Sequence, residues 1–260
     1  MSNNLFDSTT DFLGAFDGIS AQDAEVWARA RSFREDCLPV INEHWEKSEY
    51  PLELVRRLGE LDLMTDGLDV PGHESMTSLG AGLALMEVTR ADASMGTVVA
   101  VQAGLAMRSI AMLGSEEQRS RYLPAMASCS LLGAFGLTEP LHGSDSIALE
   151  TTAVRDGDSW VLNGEKKWIG NGASGGVTVI YARMEDGNVG GFIVPQDAPG
   201  YSATVITGKL SLRAIHQAHI VLEDCRIPAS NRLPGCQTFK DVSRVLTATP
   251  VSYTHLTLPT

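Results

Sequence analysis

The sequence has little cysteine, no basic excess and no apolar run long enough to cross a bilayer. Its four cysteines, Cys37, Cys129, Cys225 and Cys236, lie far apart and form no C-x-x-C pair. That argues against a structural zinc site or a disulfide framework, so no metal is expected, and it fits a reducing, cytoplasmic compartment. Acidic residues outnumber basic ones 32 to 20, giving a net charge of -12. Such a field repels phosphate backbones and makes nucleic acid an unsuitable partner. The longest uncharged apolar run, residues 93–107, is interrupted by Gly96, Gln102 and Gly104. It falls short of the ~20 residues of a spanning helix, so no membrane partner is expected either. The start, Met1-Ser-Asn-Asn4, lacks the basic residues of a secretory signal or transit peptide. No repeat of solenoid period is present.

What is present is an ordinary globular composition, 43% apolar and 20% charged, over 260 residues. It excludes disorder as the default and allows one large domain or two ordinary ones. The patterning favours two, with an α+β layout: an N-terminal helical bundle over residues 1–130, then an antiparallel β-barrel or sandwich over residues 131–236. In the first half Ser20–Asp23 resembles a capping box, and Val26, Ala30 and Phe33 follow at helical spacing. Pro39 should kink or end that helix. Pro51 opens another, with Leu54, Val55, Leu58 and Leu61 on one face. Small residues dominate from Ser78 to Leu113, as in a tight bundle. Ser115–Gln118 is a second capping box, and Pro124 should end or kink the helix it starts.

After Leu131 the period changes to short β-rich segments at 148–154, 160–162, 166–169, 177–182 and 191–194. Asp156-Gly157, Asn163-Gly164 and Asp186-Gly187 separate them and signal hairpins. From Thr238 the pattern turns helical again and a new helix starts. The last ten residues, 251–260, are Thr-rich and break that pattern. They are expected to be an adapter-derived scar and excluded from the fold.

Four segments carry a resemblance. "GSEEQRSRYLP" (114–124), "GAFGLTEPLHGSD" (133–145), "LNGEKKWIGNG" (162–172) and "GKLSLRA" (208–214) resemble, in order and spacing, the acyl-CoA dehydrogenase superfamily. Within it the chain is most similar to the branch of glutaryl-CoA dehydrogenases and short-chain acyl-CoA oxidases. Taken singly, Thr138–Pro140 also reads as a strand end, Gly143–Asp145 as a turn and Trp168 as core.

The resemblance implies an FAD enzyme that removes two hydrogens from an acyl-CoA thioester, with the flavin carrying the hard chemistry. It places Phe135, Leu137 and Thr138 along the isoalloxazine and has Trp168 cover it. Ile169 and Gly170 add main-chain contacts, and Ser144 meets both flavin and substrate arm. Gly170 stands where the family commonly has Thr, which removes the usual hydroxyl to flavin N5. Gly96, followed by Thr97, stands where glutaryl-CoA dehydrogenases place an Arg for the distal carboxylate, so the acyl chain is expected to be short and uncharged. The acceptor would be electron-transfer flavoprotein or oxygen, and the intact parent a homotetramer. The resemblance also implies a third, C-terminal helical domain, of which residues 237–250 are expected to be the start and the rest to be missing. That domain would carry the family's glutamate base, and Glu139 is expected to serve the flavin-loop turn instead. The fragment is therefore expected to be inactive, with a non-catalytic flavin or acyl-CoA binding fragment as the alternative. His142 and His216 are expected to be surface or packing residues, and Arg213 to hold the barrel edge.

Overall fold

The computed structural model describes residue 16 and residues 18–249; the expected scar at 251–260 lies outside the described residues. The helical half comprises α1 (Ala21–Cys37), α2 (Ile41–Lys47), α3 (Leu52–Glu60), α4 (Ser78–Ala91), α5 (Ala93–Val99), α6 (Arg108–Leu113) and α7 (Glu116–Ala127). Ser20 accepts the Asp23 N–H and caps α1. The Asp23 carboxylate in turn accepts the hydroxyl of Thr77, the N-cap of α4. Side chains thereby satisfy orphan donors at two helix N-termini and join them. A Cβ at Gly80 would stand 2.9 Å from Asp23 Oδ1, so the small residue is what lets α1 and α4 approach. Glu87 is buried between them and accepts from Trp27 Nε1, Arg34 and Arg90 at 2.7–3.0 Å.

Between α5 and α6 the chain does not stay α-helical. Residues Ala100–Met107 form a π-helix, so the whole of Ala93–Leu113 is one rod with a widened middle. That rod is long and apolar enough to cross a membrane by length and composition, but 72% of it is buried in the fold. It is the axis of the core. Gln102 inside the π segment donates to the Met126 and Leu131 carbonyls and accepts the Gly133 N–H at 2.6 Å. One buried amide thus spends three hydrogen bonds tying the rod to the end of α7 and the first strand. Pro124 does not end α7, which runs on to Ala127. The carbonyl that Pro124 leaves unpaired is that of Ser120, an exposed residue where water can replace the lost donor.

The β half has β1 (Gly133–Gly136), β2 (Thr152–Asp156), β3 (Ser159–Gly170), β4 (Val177–Met184), β5 (Val189–Pro195), β6 (Tyr201–Val205) and β7 (Gln217–Pro228). They form one sheet in the order β1-β4-β2-β3-β7-β6, with β5 on the other edge of β4. The sheet is mixed rather than wholly antiparallel, because β1 and β2 both run parallel to β4 along the same edge. Turn dipeptides report only pairs adjacent in sequence, and these two pairs are not. The hairpins at Asp156-Gly157 and Asp186-Gly187 form as expected.

The hairpin expected at Asn163-Gly164 does not form. That dipeptide lies inside β3 at a bulge against β7, with Gly164 at φ +143°. The Asn163 side chain is occupied by Asp224 on β7 (2.7 and 3.2 Å), and a Cβ on Gly164 would stand 2.7 Å from Thr151 Cα. Strands β6 and β7 carried no turn signal strong enough to be anticipated.

Two faces of the sheet are covered. Val177, Val179 and Tyr181 of β4 pack on the rod and α7, while Ile180, Ala182 and Met184 pack inside the curl of the sheet. Burial on both sides explains why β4 reads as continuous apolar sequence. The last helix among the described residues, α8 (Phe239–Thr247), places Val242 and Val245 in the same core as the rod.

Candidate functional site

The loop after β1 and the far end of β3 are held together by a buried ion pair. Lys166, fully enclosed, donates to Glu139 Oε1 at 2.7 Å and to the Leu137 carbonyl at 3.2 Å. Glu139 also accepts the Glu150 N–H, the Thr151 N–H and the Thr151 hydroxyl at 2.6–3.0 Å. Every oxygen lone pair that matters is engaged, which is the condition under which a buried pair is tolerated. Burial alone would push the Glu139 carboxyl upward, but the Lys166 charge and the three donors outweigh it and hold it below the usual range. Burial pulls the Lys166 ammonium down to about 8, against the attraction of Glu139. Glu139 is consumed by this network, as expected of a turn-serving residue. Lys166 was missed. Its signal was a lysine on the inward face of a half-buried strand, opposite a buried acid in need of a cation.

The next residue extends the junction, since Lys167 N–H donates to the Thr138 carbonyl at 2.9 Å. Pairing between β3 and β7 shifts register from Lys166 to Ile169, leaving Lys167 and Trp168 as bulge residues. Trp168 sits at φ +64° with 52% of its surface exposed. A bulky residue in left-handed backbone costs on the order of 1–3 kcal/mol, and the indole is only half buried to offset it. Such strain persists only where surroundings over-determine it, and the Lys166 network supplies that. The Thr138 hydroxyl, half-buried beside this bulge, has no hydrogen-bond partner among the described residues. The result is a flat exposed ring beside a free hydroxyl, which fits a planar polycyclic ligand with polar edges.

Beyond Trp168, Ile169 turns inward and Gly170 pairs with Gln217. A Cβ at Gly170 would stand 3.0 Å from Val101 Cγ2 of the π segment, so this end of β3 lies directly on the rod. Asn171, at φ +61°, fixes the turn that follows. It accepts from the Tyr50 hydroxyl at 2.7 Å and donates to the Gly133 carbonyl at 3.2 Å. Helical half, β1 and β3 therefore meet at one buried amide.

The remaining candidates are scattered. Phe135 packs partly buried against Tyr181, with ring centroids 5.2 Å apart. Leu137 is buried and its carbonyl is taken by Lys166. Ser144 is exposed on the loop beyond Thr138, and no hydrogen bond among the described residues ties it to the Trp168 edge. Gly96 and Thr97 are buried in α5. A Cβ at Gly96 would collide with the Thr89 side chain of α4, and Thr97 bonds the Ala93 carbonyl at 2.8 Å. Gly96 thus also serves helix packing. His216 stacks on Tyr50, and His142 lies 3.2 Å from Glu150. Arg213 is structural and donates to the Lys209 carbonyl of its own loop at 3.1 Å. It donates to the Trp45 and Glu46 carbonyls and stacks on the Trp45 ring, fastening the β half to α2. Among the described residues no three His, Cys, Asp or Glu side chains converge as metal ligands.

Residues 20–130 match the acyl-CoA dehydrogenase N-terminal domain, and residues 134–225 match the acyl-CoA dehydrogenase middle domain. The chain carries the N-terminal and middle domains of an acyl-CoA dehydrogenase. Similar proteins include the mouse (Mus musculus) mitochondrial short-chain specific acyl-CoA dehydrogenase, 35% identical over 79% of this chain and 52% of that protein. Among solved structures, a glutaryl-CoA dehydrogenase from Mycobacterium smegmatis superposes with a TM-score of 0.89. It is 39% identical, over 93% of this chain and 63% of that one. A glutaryl-CoA dehydrogenase structure from the same organism in complex with FADH2 gives a TM-score of 0.87 at 35% identity, over 91% of this chain and 62% of that one. The chain spans about half the length of the curated relatives it matches. In this chain the motif segments at 133–145 and 162–172 are the ones that the Lys166–Glu139 pair joins.

Proposed function

We propose that the protein of which this chain supplies two domains is an FAD-dependent enzyme. It would oxidise a short, uncharged acyl-CoA thioester to the trans-2-enoyl-CoA. The observation that carries the reading is Trp168, held exposed at positive φ beside the free Thr138 hydroxyl by a buried ion pair. When bound, FAD supplies the hydride acceptor. The chain's residues position and tune: Trp168 covers the ring, and Thr138 donates to its pyrimidine edge, where negative charge gathers on reduction. Leu137, Ile169 and Gly170 offer main-chain groups, Phe135 backs the strand, and Ser144 faces the substrate arm.

Glu139, the carboxylate next to Thr138, is not free to act as the base, because it is enclosed and neutralised by Lys166. General-base catalysis needs a carboxylate within reach of the proton, so the 260-residue chain is inactive on this reading. The absence of a cation at Gly96 supports a monocarboxylic acyl group, since a second carboxylate buried there would lack a partner. Electron-transfer flavoprotein or oxygen then takes the electrons.

FAD titration of the purified chain tests the site. Tryptophan fluorescence should be quenched saturably, and Trp168→Phe should remove most of that quenching. Quenching unaffected by the substitution would refute the placement. On the intact protein, butyryl-CoA should be oxidised in preference to glutaryl-CoA, and the reverse preference would refute the substrate. Peroxide release in the same assay would assign oxygen as acceptor.

A further inference from the structure

At the opposite end of β3 from Trp168, up to about 26 Å away along the strand, a cavity of about 380 Å³ opens between α7, the β2–β3 hairpin and the segment after β7. Arg121, Arg155 and Arg232 line it, one from each of these elements. None of the three guanidinium groups has an ion pair or hydrogen bond among the described residues. The Arg155 and Arg232 guanidinium carbons lie 5.6 and 5.7 Å from the Trp160 ring centroid, and that of Arg121 lies 5.3 Å from the Tyr122 ring. Glu117 is the single acid among the lining residues. In a chain of net charge -12, three arginines without an ion pair in one cavity need a reason.

A second observation points the same way. Trp160 lines the cavity with only 7% of its surface exposed, and its Nε1–H has no hydrogen-bond partner. Arg232 Nε is likewise buried and unpartnered. Leaving buried donors unmade costs roughly 1–3 kcal/mol each, which natural folds rarely accept without use. Donors arriving from three elements suit a tetrahedral anion, whose oxygens point in several directions, better than a planar carboxylate with two. Guanidinium is the side chain best matched to phosphate, since its fork donates in pairs.

We propose that this cavity is a phosphate-binding site, taking either the free ion or the phosphate group of a small phosphorylated molecule. Arg121, Arg155 and Arg232 clasp the oxygens, and a small movement of Arg155 or Arg232 off the indole lets Trp160 Nε1–H complete the shell.

The indole N–H signals of the 15N-labelled 260-residue chain provide the test, with that of Trp160 identified by Trp160→Phe. Inorganic phosphate at constant ionic strength should shift the Trp160 signal saturably, while acetate and chloride should not. Arg155→Gln and Arg232→Gln should each weaken binding about tenfold, the loss of one charged hydrogen bond. Arg121→Gln, on the exposed face of α7, should weaken it without any effect on folding. Adenosine monophosphate binding more than about tenfold tighter than inorganic phosphate would assign an organic phosphate, and equal affinities would assign the free ion. An absent or non-saturating shift, an equal response to acetate, or unchanged affinity in the Arg155→Gln/Arg232→Gln double variant would overturn the site.

Discussion

Strand β3 is broken twice against β7, and the two breaks are of opposite kinds. At Gly164 the backbone takes φ +143° because the chain at Thr151 passes too close for any Cβ. The residue suits the conformation, and no strain is stored. At Trp168 a large side chain takes φ +64° and is left half in solvent. There the residue opposes the conformation, and distant groups must impose it. Lys166 lies between the two breaks and does the imposing, through Glu139 and the Leu137 carbonyl. The first break serves packing, and the second is the one proposed to serve a ligand.

The sharpest way to undo this contrast is Lys166→Met, which strands the Glu139 charge in the interior. Loss of one partner of a buried pair should lower unfolding free energy by about 3–5 kcal/mol in urea denaturation. Adding Glu139→Gln should recover part of that, because the orphan charge is then gone. Gly164→Ala should follow at about 2–4 kcal/mol, combining a disfavoured φ with collision against Thr151 backbone.

Acidification should separate the same variants by sign. Glu139 is held below its ordinary value of 4.5 when folded, so the native state binds fewer protons than the unfolded state near and below that pH. Stability present above pH 4.5 is therefore lost as pH falls. In Lys166→Met only burial and hydrogen bonds remain, and burial, the largest influence on this carboxyl, raises its pKa. The variant's deficit should shrink on acidification, as read from urea midpoints between pH 7 and pH 4. The smallest effect is expected at the second break. Trp168→Gly should change stability by no more than about 1 kcal/mol, in the stabilising direction because glycine accepts positive φ. It should nevertheless abolish FAD-dependent quenching. A Trp168→Gly variant that is strongly destabilised would mean the bulge serves packing after all.

Part of this was legible before any coordinates. Small residues between Ser78 and Leu113 announced close helices, Ser115–Gln118 announced a cap, and the four motif segments announced the family. Local chemistry decides such features, since a cap or a turn dipeptide acts over three or four residues. The failures are also physical. Asn163-Gly164 has the sequence of a hairpin turn, but Asp224 and Thr151 claim the two residues from outside and make a bulge. Pro124 looks like a helix end, but its orphaned carbonyl faces water. The π-helical middle of the rod has no local signature.

By itself the sequence determined the order of helical and β halves and the family. Tertiary structure alone decided that β1 and β2 lie parallel on one edge of β4. It also decided that Lys166 is buried against Glu139 and that Trp168 is held out to solvent. These depend on which distant segments share a wall. Pairwise burial of charge and imposed backbone strain are properties of that shared wall rather than of either segment.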